Sequence, residues 1–131
     1  MDNVLISCSE KFRERVASYD LKDAENNKWE MRLIGLNSFA HTLQVGDVDG
    51  DGDYDVLSGN NGDQGDPDNS PVVLFLNQSD NITREPQLLT TSGAYNSYLV
   101  DVENDGDLDV FCYDGHGCTF YELWINTTEK E

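Results

Sequence analysis

Two nine-residue windows hold the side chains with the clearest chemistry. Asp47 to Asp55 reads DVDGDGDYD and Asp101 to Asp109 reads DVENDGDLD. In each, acids recur at every second place: Asp47, Asp49, Asp51, Asp53 and Asp55, then Asp101, Glu103, Asp105, Asp107 and Asp109. Glycine holds the sixth position in both, as Gly52 and Gly106. So many carboxylates held close in a packed chain call for a compensating cation. Ca²⁺ suits them, because it takes six to eight oxygens at about 2.3–2.6 Å and accepts irregular geometry. A glycine at position six permits the sharp turn that brings positions 1, 3 and 5 around one ion. A solvated acidic loop is the plain alternative for a lone charge run. Two copies in the same frame argue for two Ca²⁺ sites instead.

The type of loop follows from its flanks. A helix–loop–helix calcium site needs a bidentate Glu at position 12 and amphipathic helices on both sides. Position 12 is Ser58 in the first loop and Cys112 in the second. Thr42 to Gly46 and Tyr98 to Val100 lead in, and Val56-Leu57 and Val110 to Tyr113 lead out. These short β-rich runs bounded by turn residues predict strands. The expected site is therefore strand–loop–strand. Positions 1, 3, 5 and 9 would give side-chain oxygens, and position 7 (Asp53 or Asp107) its backbone carbonyl.

The elements that must position these loops repeat with them, 54 residues apart. After each loop comes a strand, a turn rich in Gly, Asp or Asn, and a second strand. That second strand ends in Phe75-Leu76-Asn77 or Trp124-Ile125-Asn126. The N-terminus supplies a worn third copy, in which Asn3 to Ile6 matches Asp55 to Ser58 and Arg15 to Tyr19 matches the strand before Asn77. Trp29 to Ile34 falls where Thr83 to Leu88 falls in the next copy. A period of this size with about four short strands marks an array of blades, as in β-propellers. The repeats divide the chain into 1–46, a degenerate copy without a calcium loop; 47–100, with loop 47–55; and 101–131, a partial copy with loop 101–109.

On the loops DVDGDGDYDVL and DVENDGDLDVF and the strands VVLFLN and ELWIN, the sequence resembles the FG-GAP or VCBS-type repeat family. That family builds the blades of integrin α-chain heads and of many secreted microbial proteins. The resemblance spans nearly the whole chain and implies that each calcium loop joins the first two strands of a blade. Glu103 departs from the more usual Asp or Asn at position three. In this frame the fold is all-β, with ten strands ordered B-C-D, A-B-C-D, A-B-C, or two and a half blades. Strands are expected near 4–8, 54–59, 72–77, 96–101, 109–113 and 120–126, with under a tenth of the chain in helix. Family propellers close with six to eight blades, so this one is partial or completed by other copies. A self-contained small fold of three sheet units is the further possibility.

Charge narrows the partners. The 131 residues carry 8 Lys/Arg against 26 Asp/Glu, for a formal net charge of −18. Residues 1–46 hold 6 basic and 7 acidic residues, and residues 47–131 hold 2 and 19. Such a surface repels phosphate, which excludes nucleic acid and anionic lipid as partners. No apolar run reaches the length of a membrane span. Met1-Asp2-Asn3 does not read as the start of a secretory leader. With 10% aromatic residues the chain can build a core.

Other residues read more plainly. Cys112 and Cys118 flank Tyr-Asp-Gly-His-Gly and could bridge; the alternative is reduced thiols packed as small apolar groups. Cys8 has no evident partner, and without a Cys-x-x-Cys pair zinc is not expected. His41 reads as structural or surface, whereas His116, in an exposed turn, could touch a ligand. Asp63, Asp66 and Asp68 lie in a turn that reads as solvated rather than as another cation or sugar site. Asn77, Asn81 and Asn126 begin Asn-x-Ser/Thr sequons. Trp29, Tyr95, Tyr98, Tyr121 and Trp124 are expected in strands, as blade core rather than a sugar-stacking platform.

The expected function is non-enzymatic. No nucleophile-elbow motif accompanies the Ser, His and Asp residues. Carboxylates neutralised by Ca²⁺ also cannot serve as the acid and base of glycoside hydrolysis. Sites of this kind suit millimolar external calcium, which points to an extracellular or cell-surface module. Its role would be adhesion or recognition of a carbohydrate or an extracellular protein. The alternatives are an accessory portion of a secreted polysaccharide-degrading enzyme and a purely structural spacer. Exposed blade edges and faces predict self-association.

Overall fold

The computed structural model describes residues 4–8, 15–60, 70–78, 84–113 and 121–128, with the side chains of 4–8 and of Arg84 excepted. His116, Cys118, Asn81 and the acidic turn with Asp63, Asp66 and Asp68 lie outside the described residues, as does the side chain of Cys8. Every regular element among those described is a strand. The strands are β1 (Val4–Cys8), β2 (Arg15–Asp23), β3 (Lys28–Leu36), β4 (Ala40–Gly46) and β5 (Asp55–Asn60). They continue with β6 (Val72–Asn77), β7 (Arg84–Thr90), β8 (Asn96–Val100), β9 (Asp109–Tyr113) and β10 (Tyr121–Trp124). β1, β5, β6, β8, β9 and β10 coincide within a few residues with the runs expected from period-2 patterning and turn residues. β4 coincides with the β-rich run leading into the first loop, and β2, β3 and β7 with segments placed by the repeat.

The strands pair antiparallel in three sheets: β1-β2-β3, β4-β5-β6-β7 and β8-β9-β10. The four-stranded sheet matches a whole blade and the two three-stranded sheets partial ones, and no propeller is closed. The middle sheet is covered on both faces. Val56, Val73 and Phe75 cluster with Val16 of β2, and Ile34 and Leu43 pack on this group. Leu57, Val72 and Leu74 face the other way and pack with Val48, Ala94, Val110 and Cys112. Double coverage explains why β6 reads as the continuous apolar run Val72-Val73-Leu74-Phe75-Leu76 rather than as an alternation. At about 25 cal/mol per Å² of apolar area buried, these two interlayer clusters are the main drive to stack the sheets.

Short polar ties fix how the sheets meet. Buried Asn37, between β3 and β4, donates through Nδ2 to the Ser58 carbonyl and hydroxyl at 3.0 Å. His41 and Thr42 of β4 both bond the Tyr95 carbonyl, at 2.7 and 3.0 Å, and the His41 ring lies 4.0 Å from that of Tyr95. His41 is therefore structural. Gly35 sits against the Phe75 ring, where an added Cβ would overlap ring carbons.

The aromatic residues expected as core are a correction. Trp29, Tyr98, Tyr121 and Trp124 are 37–67% exposed, and Tyr95 lies just before β8 rather than within it. For Tyr98 and Tyr121 the cause is the stacking order. Leu99, Val110 and Cys112 face the middle sheet, so alternation turns Tyr98, Phe111, Tyr113, Tyr121 and Leu123 outward. On that outer face the Phe111 and Tyr121 rings stack at 5.9 Å, and Asn96 donates to the Tyr113 hydroxyl at 2.6 Å. Cys112 is a free, buried thiol, and burial pushes its pKa up.

Candidate metal centre

Loop 47–54 joins β4 to β5 and loop 101–108 joins β8 to β9, the first two strands of their sheets. The two loops turn left-handed at the same two positions. Position four has positive φ in both, Gly50 at 77° and Asn104 at 58°, and position six has 93° in both Gly52 and Gly106. Left-handed backbone at position six favours glycine, the residue found there in each loop. Asn at position four is one of the few side chains that tolerate this region.

Carboxylates write the turn in hydrogen bonds. Asp47 accepts from the Gly50 amide at 2.8 Å and the Gly52 amide at 3.0 Å. Asp101 accepts from Asp105 at 3.1 Å and Gly106 at 2.9 Å. Asp51 accepts from the Asp53 amide, and Asp105 from that of Asp107. Position nine closes each loop. Buried Asp55 accepts Val48 N–H at 2.7 Å on one oxygen and Asn77 N–H at 2.8 Å on the other. Buried Asp109 does the same with Val102 at 2.8 Å and Asn126 at 2.9 Å.

The first loop converges on a point. Asp47, Asp49 and Asp55 each present a carboxylate oxygen, all within 4.8 Å of one another. No other group of three His, Cys, Asp or Glu side chains among the described residues comes that close. Burial pushes the Asp49 carboxyl pKa up, the Asp51 amide opposes this, and the charges of Asp55, Asp51 and Asp47 add to the rise. A cation between these oxygens would reverse that penalty. An ionised carboxylate has about four acceptor sites, so Asp55 can hold two amides and still face an ion. Positions 1, 3 and 9 thus fit a hard divalent cation; Asp51 and Asp53 line the same turn outside the trio.

In the second loop Asp101, Glu103, Asp105, Asp107 and Asp109 follow the same turn without a trio inside that distance. Glu103 is exposed, and the loop as a whole is more open: Val102 is 50% exposed where its counterpart Val48 is 9%. The third sheet covers Val48, and among the described residues none packs over Val102 in the same way.

Asn77 and Asn126 are the functional positions that motif reading undervalues. Both read as sequon starts, yet both amides are bound to the position-nine acid of the preceding loop. Asn77 is 1% exposed. The side chain of Asn126 donates to the Val48 and Leu108 carbonyls and accepts from Thr128 N–H and Oγ1. The available signal was their shared place, at the end of the strand that follows each loop.

No helix among the described residues is long and apolar enough to cross a membrane. No curated protein and no solved structure is significantly similar to the chain. The FG-GAP-like repeat matches residues 47–112, half of the sequence, from the start of the first loop through the second and into β9. With both loops set between the first two strands of their sheets, the chain belongs to the FG-GAP-like repeat family, as a β-propeller-type repeat module.

Proposed function

We propose that this repeat module binds Ca²⁺ in its two acidic loops and serves an extracellular or cell-surface protein in adhesion or recognition. The convergence of Asp47, Asp49 and Asp55 carries the reading, because three carboxylates within 4.8 Å repel one another unless a cation lies between them. Sequence context adds to this: residues 47–131 contain only Arg84 and Lys130 as basic side chains. The role is non-catalytic. Asp55 and Asp109 are buried and have both oxygens engaged by backbone amides, which suits holding a loop closed rather than shuttling protons. The outward face bearing Tyr98, Tyr121 and Leu123 offers a contact surface for a carbohydrate, an extracellular protein or a second copy.

Calorimetric titration of the decalcified chain tests the metal directly, with two sites expected. Binding to the folded form alone adds about 2.7 kcal/mol per site when calcium is roughly 100-fold above its Kd. Chelation should therefore lower the melting temperature by many degrees, and magnesium should replace calcium poorly because it demands a tighter octahedron. Equal melting temperatures in excess chelator and in millimolar calcium would overturn the reading. A glycan array run in calcium tests carbohydrate recognition.

A further inference from the structure

We infer that Asn126 couples the two loops, so that a cation in one raises the affinity of the other. This rests on the calcium reading above. It arises from a continuous chain of bonds between the blades. Asp109, at position nine of the second loop, accepts Asn126 N–H at 2.9 Å. The Asn126 side chain donates across the sheet boundary to the Val48 carbonyl at 2.6 Å. Val48, at position two of the first loop, donates its own N–H to Asp55 at 2.7 Å. Asp55 closes the first loop at position nine, as Asp109 closes the second.

Val48 stands between two members of the carboxylate trio, Asp47 and Asp49. Its N–H belongs to the peptide plane shared with Asp47, and its carbonyl to the plane shared with Asp49. One plane is held by the loop's own Asp55; the other is held by Asn126 from the next sheet. The direction of Asp49 therefore depends on Asn126, as that of Asp47 depends on Asp55. The Asn126 amide is itself oriented by Thr128, whose Oγ1 donates to Asn126 Oδ1 at 2.6 Å. In the second loop the Val102 N–H is held by Asp109 in the same way, but Val102 lies half exposed.

A cation that fixes the Asp109 carboxylate also fixes the Asn126 backbone, and through its side chain the Val48–Asp49 peptide. The first loop then binds without the cost of ordering that peptide. Linkage makes the effect reciprocal. Asn126 is thus a positioning residue, acting on the metal through Val48.

Site-resolved titration of the full chain with calcium chloride tests this, following the Gly52 and Gly106 amides by NMR as separate reporters of the two loops. Asp105→Ala disables the second loop. It should weaken calcium binding at the first by about fivefold or more, the low end of ordinary coupling between sites. In an Asn126→Ala background the same Asp105→Ala change should leave first-loop affinity unaltered. A purely structural Asn126 would instead leave the effect of Asp105→Ala the same in both backgrounds, and that result overturns the inference. So does a first loop indifferent to Asp105→Ala in the parent chain. If Asn126→Ala does not fold, Thr128→Val replaces it. That change keeps the amide and removes only its anchoring hydroxyl, and coupling should fall; undiminished coupling overturns the inference. Calcium binding at neither loop removes the underlying reading, whereas uncoupled binding at both removes the coupling alone.

Discussion

Asp55 and Asn77 lie 22 residues apart in the chain, and the carboxylate of the first accepts the backbone amide of the second at 2.8 Å. The other Asp55 oxygen takes Val48 N–H, so one fully buried side chain pins a loop and the end of a strand together. This gives position nine a role that does not wait for metal. Asp55→Ala should destabilise the chain even in excess chelator, since each buried N–H left unpaired costs about 1–3 kcal/mol. Asp51→Ala, at an exposed position, should cost about 0.5 kcal/mol or less in chelator. In millimolar calcium Asp51→Ala should lose much of the metal-dependent gain. Denaturant unfolding of both variants in the two buffers measures the difference. Similar losses in chelator would contradict the separation of roles.

Gly35 marks where the first sheet meets the second. Its added Cβ would strike the Phe75 ring, and overpacking of this kind costs about 1–3 kcal/mol. Gly35→Ala should therefore lower the melting temperature, and Phe75→Leu in the same chain should recover part of the loss. Strictly additive losses would show that the two residues do not share this contact.

The outer face of the third sheet predicts self-association. Tyr121 and Leu123 are 67% and 49% exposed beside Tyr98 and the half-buried Phe111. Light scattering at micromolar concentration should give a mass above that of one chain, and Tyr121→Lys with Leu123→Lys should bring it down to one. A monomeric parent chain would refute this prediction.

Much was legible in the sequence because local patterns determine local structure. Loops of Asp at alternate places with Gly at position six specify the turn whatever surrounds it, and both loops adopt the same φ values at Gly52 and Gly106. The strands followed from short β-rich runs between turn residues, and their grouping into three-, four- and three-stranded sheets followed from the repeat. Which faces are covered was decided only by stacking order. Val56 and Leu57 are neighbours buried on opposite faces because the middle sheet has a layer on each side. Tyr121, expected as core, faces outward because alternation along β10 turns it away from the middle sheet. The difference between the loops is also tertiary. Nearly the same residues at the same spacing gather a carboxylate trio only in the first loop. That loop is covered by the third sheet, and Asn126 reaches its Val48 from 78 residues further along the chain. A contact over that separation leaves no local pattern: Asn126 reads as the end of a strand or the start of a sequon until folding sets it beside Val48.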